Sequence, residues 1–165
     1  MLRNRFAACV ALAAFAVLGN AVPVPAGEQV PFKGRLEGVV VITPVPGGPP
    51  ALVDVLVTAT GNATHLGKFE LTVPHRVDRS TTPPSAAGFY YFTAANGDTV
   101  SASFIGQATP TATPGVLAIV ETATITGGTG RFAGATGSFV SERLFNTITG
   151  TTTGSFDGTI SSHGP

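Results

Sequence analysis

Cysteine is nearly missing from this chain: Cys9 is the only one in 165 residues. It sits near the start of an apolar N-terminal run, whereas a lipid-anchored cysteine follows such a run. The rest of the chain therefore folds without disulfides, thiolate metal sites or a cysteine nucleophile, and its core must hold it together. Charge is scarce as well. Asp, Glu, Lys and Arg make up 11% of the residues and cancel to a formal net charge of zero, against roughly 25% charged residues in ordinary globular domains. There is no basic patch interleaved with aromatics, so no nucleic-acid partner is expected, and no polybasic segment points to a membrane surface. Tryptophan is absent. No stretch beyond the N-terminus keeps a capped 3.6-residue period, so the fold is not helical.

Several chemical signatures are missing too. No His-x-His, His-Glu-x-x-His or facial carboxylate spacing surrounds His65 or His75, and His163 stands in a featureless tail. No metal site and no cofactor are expected. A Gly-x-Ser-x-Gly elbow is lacking, which disfavours a serine hydrolase. The glycine-rich segment lacks the Gly-Lys-Ser/Thr ending of a phosphate loop.

Arg3 and Arg5 precede an apolar run from Phe6 to Leu18, shorter than the about 20 residues a membrane-spanning helix needs. Small residues follow in Gly19-Asn20-Ala21 and Val24-Pro25-Ala26. Residues 1–26 read as a secretory signal peptide, cleaved after Ala21 or Ala26. That leaves one domain over residues 27–165, secreted or periplasmic and without stable membrane insertion.

The remaining sequence comes in short apolar, β-branched and aromatic runs broken by Gly, Pro and Asn. Eight are expected to be strands: Val30–Ile42, Ala51–Thr60, Gly67–Val77, Gly88–Ala94, Asp98–Gln107, Val116–Thr126, Thr136–Asn146 and Thr152–Ser162. Alternation is clean in the third, with Phe69, Leu71 and Val73 on one face and Lys68, Glu70 and Thr72 on the other. Asn96-Gly97 predicts a type I′ hairpin between the fourth and fifth, with both turn residues at positive φ. Eight hairpin-joined strands suit an all-β, antiparallel up-and-down barrel, because closure removes edge strands; a β-sandwich is the alternative. A Gly-x-Phe pattern recurs at Gly67–Phe69, Gly130–Phe132, Gly137–Phe139 and Gly154–Phe156. A glycine there relieves curvature, and the phenylalanine covers the gap it leaves.

One segment is denser in glycine than any other: Gly127-Gly128-Thr129-Gly130-Arg131-Phe132-Ala133-Gly134-Ala135-Thr136-Gly137. It resembles the Gly-Gly-Thr-Gly-x-Phe turn shared by plant dirigent proteins, allene oxide cyclases and secreted bacterial proteins with the same barrel. Gly61–Phe69 resembles a second element of those bacterial proteins. The resemblance implies an eight-stranded barrel, often trimeric, whose apolar pocket orients a reactive hydrophobic intermediate. It assigns a structural role to Gly127, Gly128, Thr129, Gly130, Phe132, Gly134 and Gly137. It implies a bacterial, extracytoplasmic protein that forms a homodimer or homotrimer.

Two charged residues are candidates for chemistry. Glu121 shares a strand face with Leu117, Ile119, Ala123 and Ile125, and Arg143 shares one with Phe139 and Phe145. Glu121 either points into the barrel or lies outside with Val116, Ala118 and Val120 as the core face, and either Arg143 or Glu142 leans inward or sits past the end of the wall. A Glu121–Arg143 pair across neighbouring strands would be a structural ion pair or, alternatively, catalytic groups that polarise a substrate. Phe69, Phe89, Tyr91, Phe104, Phe139 and Phe156 are the candidates for lining the lumen. Three functions stay open: a barrel binding a small hydrophobic molecule, a cyclase or isomerase, and a structural barrel with a filled core.

Overall fold

The structure, a computed structural model, describes residues 27–162. The N-terminal segment with its cleavage sites, Cys9 and His163 lie outside the described residues. Eight strands follow in order: β1 (Glu28–Pro44), β2 (Leu52–Ala63), β3 (Gly67–Asp78), β4 (Ser85–Ala94), β5 (Thr99–Pro110), β6 (Val116–Gly128), β7 (Gly137–Asn146) and β8 (Thr151–Ser162). Each pairs antiparallel with its chain neighbours. β1 also pairs with β8, from Glu28 opposite Ser162 to Val39 opposite Thr151, so the sheet closes into an up-and-down barrel. That last ladder rules out the sandwich.

Alternation dictates the interior. Inward positions carry Val53, Val55 and Val57 on β2 and Phe69, Leu71 and Val73 on β3, all buried. The lower half of the lumen is packed with rings from Phe32, Phe69, Tyr90, Phe92, Phe104, Phe139 and Phe156. Tyr90 and Phe104 stand 5.1 Å apart at their centroids, and Phe69 and Phe92 stand 5.3 Å apart, both edge-to-face. Such pairs add about 0.5–1.5 kcal/mol each beyond the area they bury.

On β4 the expected assignment is corrected. Phe89 and Tyr91 lie half exposed on the outer wall, stacked on one another, while Tyr90 and Phe92 occupy the interior. Four consecutive aromatics give alternation nothing to choose between. The choice comes from register, which sets Tyr90 opposite Ala102 and Phe92 opposite Val100, both inward residues of β5.

The Asn96-Gly97 turn also differs from expectation. Gly97 has φ 87°, but among the described residues the only non-glycine at positive φ is His65. The Gly97 N–H bonds to the Ala94 carbonyl at 2.9 Å, and the Ala94 N–H to the Asp98 carbonyl at 2.8 Å. This is a three-residue loop with one bulge glycine, so Asn96 keeps an ordinary conformation.

The glycine motif joins β6 to β7 and holds a single 3-10 turn at Gly130–Phe132 that the sequence pattern does not announce. It folds Phe132 and Ala135, both buried, over the lower end of the barrel. The Thr129 N–H donates to the Thr99 carbonyl, and the Thr129 hydroxyl accepts from the Thr99 N–H, both at 3.0 Å. Gly130 has φ 57°, and a Cβ there would strike the Asp98 carboxylate, so two separate constraints select glycine at this position.

Candidate functional site

Above the ring-packed half, three ionisable side chains turn inward: His75 on β3, Glu121 on β6 and Arg143 on β7. Each faces a glycine on the adjoining strand, with His75 opposite Gly88, Glu121 opposite Gly106 and Arg143 opposite Gly154. A Cβ at Gly106 would lie 2.6 Å from Glu121 Cγ, and one at Gly154 would lie 2.7 Å from Arg143 Cγ. The missing side chains leave the room in which these long polar groups lie across the lumen.

Glu121 and Arg143 form a two-pronged ion pair, with Nη2 to Oε1 at 2.6 Å and Nε to Oε2 at 3.1 Å. Glu121 is 1% exposed and Arg143 5%. The pair runs diagonally, since the ladder sets Glu121 opposite Ser141. The Tyr90 hydroxyl donates to Glu121 Oε2, so the carboxylate accepts three hydrogen bonds. Arg143 Nη1 donates to the Thr152 hydroxyl at 3.3 Å, which in turn donates to the Leu144 carbonyl at 3.0 Å. Among the described residues, the buried Ser141 hydroxyl has no hydrogen-bond partner.

These contacts govern the protonation states. Burial is the main force holding the Tyr90 hydroxyl well above its usual range, and the neighbouring Glu121 charge adds to it. Burial works against the Arg143 cation but is outweighed by Glu121 and Tyr90, so its pKa is raised. The Tyr90 phenol is therefore neutral and the Arg143 guanidinium charged. Burial also lowers the pKa of His75, against the opposing effect of its bond to the Val73 carbonyl.

Between this cluster and the loops at the upper end lies a cavity of about 380 Å³. Its walls are mainly aliphatic, including Val53, Val55, Val57, Val77, Leu117 and Ile119; Glu121, Arg143 and His75 supply polarity, and Arg79 and Gln107 also line it. The glycine motif is at the opposite end of the barrel.

The structure thus brings Glu121 and Arg143 together beside a cavity. Phe69, Phe104, Phe139 and Phe156 face the interior but form the plug beneath the chamber, and Phe89 and Tyr91 are outside it. Sequence reasoning missed Tyr90, Thr152 and His75 as members of the site. For His75 a signal existed, because it continues the inward series Phe69, Leu71, Val73 on β3. Among the described residues, no group of three His, Cys, Asp or Glu side chains could hold a metal ion.

A closed eight-stranded barrel with a half-filled lumen places this chain among proteins with the dirigent-like fold. Solved structures that share it include two pterocarpan synthase dirigent proteins. The pterocarpan synthase dirigent protein PsPTS1 is 13% identical with a TM-score of 0.61, covering 86% of this chain and 100% of its own. The pterocarpan synthase dirigent protein GePTS1 is 14% identical with a TM-score of 0.59, covering 93% of this chain and 100% of its own. The likeness is one of fold. No protein-family model matches the chain, and no curated protein matches it significantly.

Proposed function

We propose that the barrel binds one small, mainly apolar molecule in the upper cavity, with a polar group of that molecule turned towards Glu121 and Arg143. The supporting observation is an aliphatic chamber of about 380 Å³ that ends on a buried ion pair. Small-molecule pockets have this character: apolar walls, few polar groups, and about 300–1,000 Å³ of space. Native mass spectrometry of the purified protein is expected to show a retained apolar compound. Ala86→Phe, which fills the cavity from the β4 wall, is expected to strip that compound from a protein that still folds. Undiminished occupancy in the Ala86→Phe variant would place the ligand elsewhere.

A cyclase or isomerase acting on an apolar substrate is the second reading, favoured by the Tyr90–Glu121–Arg143 cluster beside the cavity. Buried ion pairs seldom stabilise a fold more than apolar residues of the same size, and this one lines the cavity. On this reading, Glu121→Gln lowers turnover of the co-purifying compound by about 100-fold or more with little change in its affinity. Unchanged turnover would leave the barrel a binding protein.

We further propose export from the cytoplasm of a bacterial host, on the strength of the N-terminal Arg3, Arg5 and apolar run. Assembly into dimers or trimers is supported by exposed apolar residues on the outer wall: Val39, Val41 and Leu56 on β1–β2, and Val120, Val140 and Leu144 on β6–β7. The same mass spectra read the cleavage site and the assembly mass.

A further inference from the structure

We infer that His75 is a specificity-determining residue of the cavity, and that Nε2 of its neutral ring accepts a hydrogen bond from a hydroxyl group on the bound molecule. This rests on the cavity being a binding site, and it narrows the ligand to hydroxyl-bearing apolar compounds. The inference stands on geometry. His75 Nδ1 lies 3.0 Å from the Val73 carbonyl oxygen. A carbonyl only accepts, so Nδ1 carries the proton and Nε2 holds the lone pair. Among the described residues Nε2 has no hydrogen-bond partner, and the ring lines the cavity.

The ring is held in place. Gly88 stands opposite it on β4, and the Phe104 ring meets it edge-on at 5.5 Å. The glycine matters because a Cβ there would collide with His75. Glu121 already accepts three hydrogen bonds from Tyr90 and Arg143, two on Oε2 and one on Oε1, and Arg143 can only donate. His75 Nε2 is therefore the ring acceptor that the cavity wall offers to a donor with no bond of its own to break. A buried site with an acceptor aimed at a ligand hydroxyl rejects the same ligand once that hydroxyl is capped, because the acceptor is left without a partner.

Acid should remove the preference. The charged groups acting on the ring are Glu121 on β6, which favours its protonation, and Arg143 on β7, which opposes it; Arg79 also lines the cavity, while Val55 on β2, Gly88 on β4 and Phe104 on β5 bring no charge. The pKa of His75 is below the ordinary 6.5, so the ring is neutral at pH 7. As pH falls through that lowered value, Nε2 gains a proton and stops accepting.

The test uses three probes, naphthalene, 2-methoxynaphthalene and 2-naphthol, with dissociation constants measured at pH 7 on the purified chain. All three are expected to bind, with 2-naphthol about tenfold tighter than its methyl ether, the size expected of one well-formed hydrogen bond. In His75→Phe the ratio should fall to about one while naphthalene still binds, and His75→Asn, which keeps an acceptor, should restore part of it. Nitrogen-15 NMR of the wild-type ring supplies a readout that needs no variant. It should show the Nδ1–H tautomer, with the Nε2 resonance moving on addition of 2-naphthol and not of the ether. Binding of all three probes with no preference for 2-naphthol, or a preference that survives in His75→Phe, overturns the role of His75 and leaves the binding cavity standing. Failure of naphthalene itself to bind overturns both.

Discussion

Arg143→Met is expected to cost about 3–5 kcal/mol of unfolding free energy, because it strands the buried Glu121 as an unpaired charge. Arg143 supplies both prongs of the ion pair at 2.6 and 3.1 Å, and among the described residues no other cationic side chain bonds to the carboxylate. Removing the whole cluster should behave differently. The triple variant Tyr90→Phe, Glu121→Leu, Arg143→Met deletes the three groups that partner one another, Thr152 keeping its bond to the Leu144 carbonyl. It is expected to match or exceed the wild type in stability, since apolar replacements of buried ion pairs are commonly neutral or stabilising. Tyr90 has to be included, because Glu121→Leu alone leaves its hydroxyl without an acceptor. Urea unfolding of the three proteins decides the matter. A triple variant as unstable as Arg143→Met would show that the cluster serves the fold. A stable triple variant that has lost its ligand would show that it serves the cavity.

Phe92→Ala should be nearly as damaging, at about 3–5 kcal/mol, because a large ring leaves a hole that rigid strands cannot close. Phe92 is fully buried and meets five other rings, Phe32, Phe69, Tyr90, Phe139 and Phe156, at centroid distances of 5.3 to 5.9 Å. For a domain of this size the loss corresponds to a fall in Tm of about 10 °C or more. Tyr91→Ala provides the control on the same strand. Its ring is on the outer wall and 45% exposed, so its removal should change stability by about 0.5 kcal/mol or less. Equal losses in the two variants would mean that the face assignment of β4 is reversed.

The contrast between those neighbours also shows what a chain of alternating residues can and cannot say. On β3, Lys68 and Glu70 mark the wet side, and the inward face follows without knowledge of any other strand. On β6 and β7, counting by twos puts Glu121 with Ala123 and Arg143 with Phe139, which allows a pair, but both faces of each strand carry apolar residues, and the closed sheet decides that these two face inward. On β4, Phe89, Tyr90, Tyr91 and Phe92 offer no polar residue to break the tie, and the partner strand settles it. Asn96 shows a different limit: a dipeptide suits a turn type, but loop length and strand register select which turn forms.

Strand number, strand order and the site of the glycine turn were determined by the sequence itself, because they depend on local chemistry: turn residues, period-two alternation and the special freedom of glycine. Closure of β1 on β8, the division of the lumen into a ring-packed half and an aliphatic chamber, and the place of His75 in that chamber were decided only by the tertiary structure. The glycines opposite His75, Glu121 and Arg143 are distant from them in sequence: Gly88 is thirteen residues after His75, and Gly106 fifteen before Glu121. Which gap receives which side chain depends on the register of neighbouring strands, and register is a property of the closed sheet rather than of any one strand.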